Sequence, residues 1–166
     1  MLIVDGYNWL FGVVADAELG KRPLERQRNQ AIRLLAGWAE WHTEAVVIVF
    51  DGAAARTRQQ VGGVEVWFTP KSRTADDEIV ARVRAAERPR EVRVVTADRL
   101  LGDRVRAEGG VIWSPRDFSG RLKELQSGQT LRLRREDLDG GDKPDAEPDV
   151  DGMVRAFEDG PPPRDR

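Results

Sequence analysis

The residues best suited to do chemistry in this chain are aspartates. Asp5, Asp51 and Asp98 each follow a short apolar run, and Asp76 and Asp77 stand side by side after a loop. Carboxylates gathered within a few ångströms repel one another, so they either take up protons or bind a hard cation. Mg²⁺ or Mn²⁺ suits such oxygen donors, because these ions keep several waters and share a substrate phosphate. An ion held this way lowers the pKa of a bound water and neutralises charge on a phosphodiester under attack. Asn8 and Thr96, near Asp5 and Asp98, add an amide and a hydroxyl that can orient a water or a phosphate oxygen. None of this needs cysteine or histidine. The chain has no cysteine, which excludes disulfides, thiolate zinc sites and cysteine nucleophiles. Its one histidine, His42, leaves little room for a Ser-His-Asp hydrolase or a multi-histidine metal site.

Each acid also has a purely structural explanation. Asp5 can accept hydrogen bonds from the turn at Gly6. Acids in the first turn of a helix, Asp77 and Glu78 here, are favoured by the helix dipole at about 0.3–1 kcal/mol each. That explanation does not cover the repetition of apolar run, acid and glycine at Asp5 and Gly6 and again at Asp51 and Gly52. It also covers poorly the adjacent acids that follow a loop holding Lys71 and Arg73.

The elements that must position these acids follow from hydropathy and turn chemistry. Residues 2–4 are too short for a buried helix and read as a strand covered on both faces, which delivers Asp5 to its carboxyl end. In open α/β sheets that edge is where ligands bind. Residues 9–20 read as a loop or short helix, and Pro23 opens a longer helix. Leu24, Ala31, Leu35, Trp38 and His42 share one face of it, with His42 a packing or capping residue at its end. Residues 45–50 form a second strand, 53–63 a loop carrying Arg56 and Arg58, and 64–68 a third strand nearer the sheet edge. Thr74, with Asp77 three positions on, resembles a capping box and starts a helix to about residue 86. Residues 92–95 and 111–113 are further strands, separated by a helix that stops at Gly109 and Gly110. Ser114 opens a last helix with Phe118, Leu122 and Leu125 on its apolar face. Trp38, Trp41, Trp67 and Trp113 fall on helices or strands, where packing is the usual fate. The expected fold is α/β: a three-layer α/β/α sandwich around a mainly parallel central sheet of about five strands.

At 166 residues the chain suits one core, yet 34% of it is charged and only 40% hydrophobic, so a compact part plus a solvated part is expected. The division falls at 1–127 and 128–166. Residues 130–135 alternate and fit either an edge strand or a basic linker. From Glu136 onward, 11 acids and 4 bases in an Asp/Gly/Pro-rich context point to a disordered acidic tail, with residues 153–157 a short interaction helix within it. The body before it carries 23 bases and 18 acids and suits a polyanionic partner. No stretch approaches a membrane span and no leader precedes the first strand, so no membrane partner and a cytoplasmic setting are expected.

Taken together, Asp5-Gly6-Tyr7-Asn8, Phe50-Asp51-Gly52, Phe68-Thr69-Pro70-Lys71, Thr74-Ala75-Asp76-Asp77 and Val95-Thr96-Ala97-Asp98 resemble the NYN domain, in its YacP-like branch, within the PIN-like nuclease superfamily. The motifs keep the family's order from residue 1 to 125. The resemblance implies a PIN-like fold and a divalent-metal endoribonuclease using Mg²⁺ or Mn²⁺, with RNA, including ribosome-associated RNA, as partner and no organic cofactor. It places the family's acids on Asp5, Asp76, Asp77 and Asp98 and its asparagine on Asn8. Asp51 falls at a recurrent position, either as a further ligand or as a structural residue. Ala97 departs from the family, where serine is frequent, which removes a hydrogen bond but not a ligand. Arg56, Arg58, Lys71 and Arg73 flank the carboxylates and are candidates for RNA binding, with Arg99 and Arg116 beside them. A module that binds RNA or the ribosome without cleaving is the alternative. An aspartyl phosphatase is disfavoured because no second acid stands two residues after Asp5, and a dinucleotide enzyme because no G-x-G-x-x-G follows the first strand.

Overall fold

The computed structural model describes residues 1–13, 23–53 and 56–138. At its centre lies strand β1 (Leu2–Asp5), whose Leu2, Ile3 and Val4 have no solvent exposure. Parallel neighbours β2 (Val46–Ala53) and β5 (Arg93–Val95) flank it, pairing Ile3 with Val47 on one side and Val94 on the other. Strands β3 (Thr57–Val61), β4 (Val64–Pro70) and β6 (Val111–Trp113) complete a sheet ordered β3-β4-β2-β1-β5-β6. All pairings are parallel except β3 with β4. Helices α1 (Gly6–Val13), α2 (Leu24–His42) and α5 (Pro115–Leu138) belong to one layer, and α3 (Ala75–Ala85) and α4 (Arg99–Ala107) to the other.

Strand alternation divides the core. Leu2, Val4, Ile48 and Phe50 pack against Trp9, Ile32, Leu35, Trp38 and Phe118, whereas Ile3, Val47, Val49 and Val94 pack against Ile79, Val83, Leu101 and Val105. The continuous apolar runs of β1 and β2 thus reflect burial on both faces. The three-layer parallel α/β architecture agrees with the sequence reading.

Details differ. The sheet has six strands rather than about five. The extra one, β3, is a polar edge strand in the segment read as a loop. It forms a hairpin with β4 through Gly62 and Gly63, whose φ angles of 50° and 78° suit the two-residue turns that match strand twist. Helix α1 starts at Gly6, directly after β1, earlier than the loop or short helix expected from residue 9. Pro23 occupies the N-cap of α2, one position before its first helical residue. Residues 130–135 are neither strand nor linker but belong to α5, so the division drawn at 127 falls inside a helix. Leu, Arg, Gln and Glu are good helix formers, and here they extend an existing helix. The acidic segment from 139 onward, including 153–157, lies outside the described residues.

Candidate active site

The site starts from a close backbone approach. A Cβ on Gly6 would lie 2.4 Å from the Phe50 ring and 2.8 Å from the Val49 carbonyl oxygen, so only glycine lets α1 begin immediately after Asp5. The turn brings the Asn8 backbone N–H to Asp5 Oδ1 at 3.3 Å. Asp5 Oδ2 accepts the Thr96 hydroxyl at 3.0 Å from the end of neighbouring β5. Asn8 Oδ1 in turn accepts the Ala97 N–H at 2.7 Å. Asp98 caps α4, its Oδ1 accepting the Leu101 N–H at 3.0 Å. Two strand ends and two helix starts are therefore tied through Asp5, Asn8, Thr96 and Asp98.

Asp51 ties in the third strand. Its Oδ1 accepts the Thr69 hydroxyl at 2.8 Å and the Ala75 N–H at 2.5 Å, which fixes the start of α3 to the end of β2. Thr74 caps that helix as expected, its hydroxyl oxygen accepting the Asp77 N–H at 3.2 Å. Asp76 then lies half-buried in the first turn, while Asp77 is exposed and bonded to Arg104 of α4 at 2.7 Å.

Electrostatics show which acids share a field. Burial pushes Asp5 up to about 6; the Thr96 and Asn8 hydrogen bonds oppose this, and the charges of Asp76 and Asp51 add to it. Asp76 is likewise raised, first by burial and then by Asp98, with Asp51 and Asp77 adding and Arg104 opposing. Asp77 is lowered, mainly by its hydrogen bond from Arg104. Asp5, Asp51, Asp76 and Asp98 therefore all stand at strand ends or helix starts on the carboxyl edge of the sheet and influence one another, whereas Asp77 is turned to Arg104. Arg104 was not legible in the sequence, since nothing in its spacing announces a partner across two helices.

Among the described residues, no three His, Cys, Asp or Glu side chains stand close enough together to hold a metal. The chemistry of the donors, as distinct from their spacing, suits a hard cation. The set is all oxygen, its members repel one another, and Mg²⁺ commonly binds through only one or two carboxylates plus water and substrate phosphate.

The basic candidates lie beside this edge. Glu78, only 3% exposed, receives Arg56 Nη2 at 3.0 and 3.1 Å and Arg82 Nε at 3.0 Å, with Arg73 Nη2 at 3.5 Å. The Trp67 ring lies under the guanidinium groups of Arg56 and Arg82, at 4.4 and 4.5 Å. Arg58 pairs with Glu65 at 2.8 Å. Three of the arginines read as RNA-binding are therefore already held by acids, while Lys71 is exposed and in no ion pair among the described residues. Arg99 and Arg116 are exposed. Glu78 as the hub of this cluster was missed, because a first-turn acid is accounted for by the helix dipole alone. His42, exposed at the end of α2, stacks on Trp38 at 3.8 Å with its Nδ1 3.1 Å from the Trp38 carbonyl oxygen, while the C-cap itself is Thr43. Among the described residues, no helix is long and apolar enough to cross a membrane.

Comparison with known proteins gives a consistent answer. A sequence model described as "YacP-like NYN domain" matches residues 2–148. That match passes residue 125, the limit of the motifs, and takes in the rest of α5 and the first part of the acidic segment. A relative, "Uncharacterized protein YacP" of Bacillus subtilis (strain 168), is 24% identical over 139 residues, 81% of this chain and 82% of its own length. The crystal structure of Rae1 (YacP) from Bacillus subtilis has a TM-score of 0.72 at 22% identity, covering 96% of this chain and 88% of that one. A tryptophan-to-leucine mutant of the same protein gives 0.69 at 24% identity, covering 92% and 89%. These structures share the fold.

Proposed function

Because the chain belongs to the YacP-like NYN domain family, of the PIN-like nuclease superfamily, we propose that it is a divalent-metal-dependent endoribonuclease. Asp5, Asp76 and Asp98 are the carboxylates assigned to the metal, with Mg²⁺ or Mn²⁺ as the ion. The observation that carries this reading is the hydrogen-bonded link from Asp5 through Thr96 to Asp98 at the ends of β1 and β5, with the charges of Asp76 and Asp51 also bearing on Asp5. A bound divalent ion supplies Lewis acidity and a nucleophilic water near neutral pH.

The chain's own groups do the rest. Asn8, its Oδ1 fixed by the Ala97 N–H, presents its amide N–H groups to a phosphate oxygen or the attacking water. Thr96 keeps the Asp5 carboxylate in place. Asp77, engaged by Arg104, and Asp51, engaged by Thr69 and Ala75, act as positioning residues at the start of α3. Lys71, Arg56, Arg58 and Arg73 form the basic flank that an RNA backbone follows. The substrate pool is RNA linked to translation, and the compartment is the cytoplasm.

The test is incubation of the purified chain with RNA in Mg²⁺ or Mn²⁺. Internal cleavage is expected, and EDTA or Asp5→Asn should abolish it. A second reading, an RNA- or ribosome-binding module without catalysis, is favoured by the lack of three donors at ligating distance among the described residues. Metal-independent RNA binding with no cleavage of free or ribosome-bound RNA would decide for it.

A further inference from the structure

Five large apolar side chains are exposed among the described residues: Phe11, Leu24, Trp41, Leu100 and Val111. Among those described, the most exposed are Leu100, 77%, and Phe11, 63%. Each follows one of the strands that deliver an acid. Phe11 lies on α1, after Asp5, and Leu100 on α4, after Asp98. A single exposed apolar side chain is ordinary; what sets Phe11 apart is the way its ring is held.

The geometry around Phe11 narrows that ligand. Tyr7 and Phe11 are one helical turn apart, with ring centroids 5.7 Å apart and planes only 10° from parallel. Tyr7 is itself fixed from below: its ring packs on Phe50 at 5.1 Å, and its hydroxyl accepts a hydrogen bond from Arg28 Nη1 at 3.3 Å. The lower face of Phe11 is thus covered by a supported ring, and the residue stays open to solvent. A supported, open aromatic ring is what a planar group stacks on. Along the axis of α1, Phe11 is about 7.5 Å from Gly6, the residue that follows Asp5, at 1.5 Å of rise per residue. That separation is one a short run of nucleotides spans.

We propose that Phe11, backed by Tyr7, is a base-stacking platform that seats a nucleobase of single-stranded RNA beside the scissile phosphate. The assignment rests on the nuclease reading and adds to it a residue that positions the RNA. Bases within an A-form duplex are stacked on each other and cannot reach such a ring, whereas splayed single-stranded bases can. Stacking tolerates every base, so the platform favours single strands without selecting a sequence.

The experiment compares the full chain with Phe11→Ala and Phe11→Trp. The probe is a fluorescein-labelled uridine oligomer, with a labelled RNA hairpin duplex as control, both in Ca²⁺ and followed by anisotropy. Phe11→Ala should bind the single strand about tenfold more weakly, as expected for loss of one aromatic–base stack. Phe11→Trp should bind it as well as the unaltered chain, and the duplex should not distinguish the three. In cleavage assays with Mg²⁺ or Mn²⁺, Phe11→Ala should raise KM and leave kcat nearly unchanged. Unchanged affinity and KM in Phe11→Ala, while the unaltered chain cuts RNA, overturns the platform and spares the nuclease. Phe11-dependent binding without any cleavage supports the platform and removes the nuclease. Equal weakening on both probes also overturns the platform, since a general loss of the surface would act on duplex and single strand alike.

Discussion

The Thr96 hydroxyl donates to Asp5 Oδ2 at 3.0 Å, and its own oxygen, Oγ1, accepts the Asp98 backbone N–H at 3.1 Å. One buried side chain therefore connects the acid that ends β1 with the one that starts α4. Thr96→Val keeps the shape and removes both bonds. Stability should fall by about 1–3 kcal/mol, the usual cost of leaving buried polar groups unpaired. Asp5 should also become harder to ionise, because the lost hydrogen bond is one of the influences holding its pKa down. Mn²⁺ affinity, measured by calorimetry, should drop more at about pH 6 than at about pH 8, where the carboxylate is ionised either way. An equal loss at both pH values would mean that Thr96 acts only on the backbone.

Asp5 is also a source of instability in the metal-free protein. Its pKa in the folded state is about 6, against an ordinary 3.8, so the folded chain holds this proton more tightly than the unfolded one. Stability is therefore lost as pH rises between those values and stays low above them. A rise of that size corresponds to roughly 3 kcal/mol for a residue as buried as Asp5. Asp5→Asn removes the penalty. In EDTA the variant should melt at a higher temperature than the unaltered chain at about pH 8, and the gap should close below about pH 4. A gap independent of pH would contradict the burial argument.

Adjacent acids need not have equal roles. Asp76 is half-buried and feels Asp98 and Asp51, whereas Asp77 is exposed and bound to Arg104 at 2.7 Å. Asp76→Asn should abolish Mn²⁺ binding and RNA cleavage. Asp77→Asn should reduce both by less than tenfold, and Arg104→Ala should resemble it, since each breaks the same pair. Equal losses in Asp76→Asn and Asp77→Asn would show that Arg104 releases Asp77 when metal is present.

Strands buried on both faces were the most readable part of this chain, because Leu2, Ile3, Val4 and the Val46–Phe50 run have no polar alternative to explain them. The cap at Thr74 was equally readable, being set by residues three positions apart. Strand β3 was not, since Thr57, Arg58, Gln59 and Gln60 carry little apolar signal, although Gly62 and Gly63 between Val61 and Val64 do mark a hairpin. Of the site, the acids at strand ends could be named, because a sheet edge collects whatever ends its strands. Their partners could not. Arg104 reaches Asp77 over 27 positions and Arg56 reaches Glu78 over 22, and no local pattern encodes contacts between separate elements.

Glu78 separates two accounts of the basic flank. It is buried, and Arg56, Arg73 and Arg82 all point their guanidinium groups at it. If only net charge mattered for RNA, Glu78→Gln would tighten binding, because it removes a negative charge next to the arginines. The geometry predicts the opposite. Arg56 is fixed by both Glu78 oxygens and by the Trp67 ring, and without the carboxylate it gains freedom that must be lost again when a phosphate binds. Arg82 keeps Glu65 at 2.9 Å, so the fold should survive, at a cost of about 2 kcal/mol rather than the ~3–5 typical of breaking a fully buried pair. The expected result is weaker binding of a single-stranded RNA at every salt concentration, with the slope against log salt little changed, as measured by anisotropy titrations. Tighter binding in Glu78→Gln would show that the arginines act as a diffuse charge and that their fixed positions carry no information for the RNA.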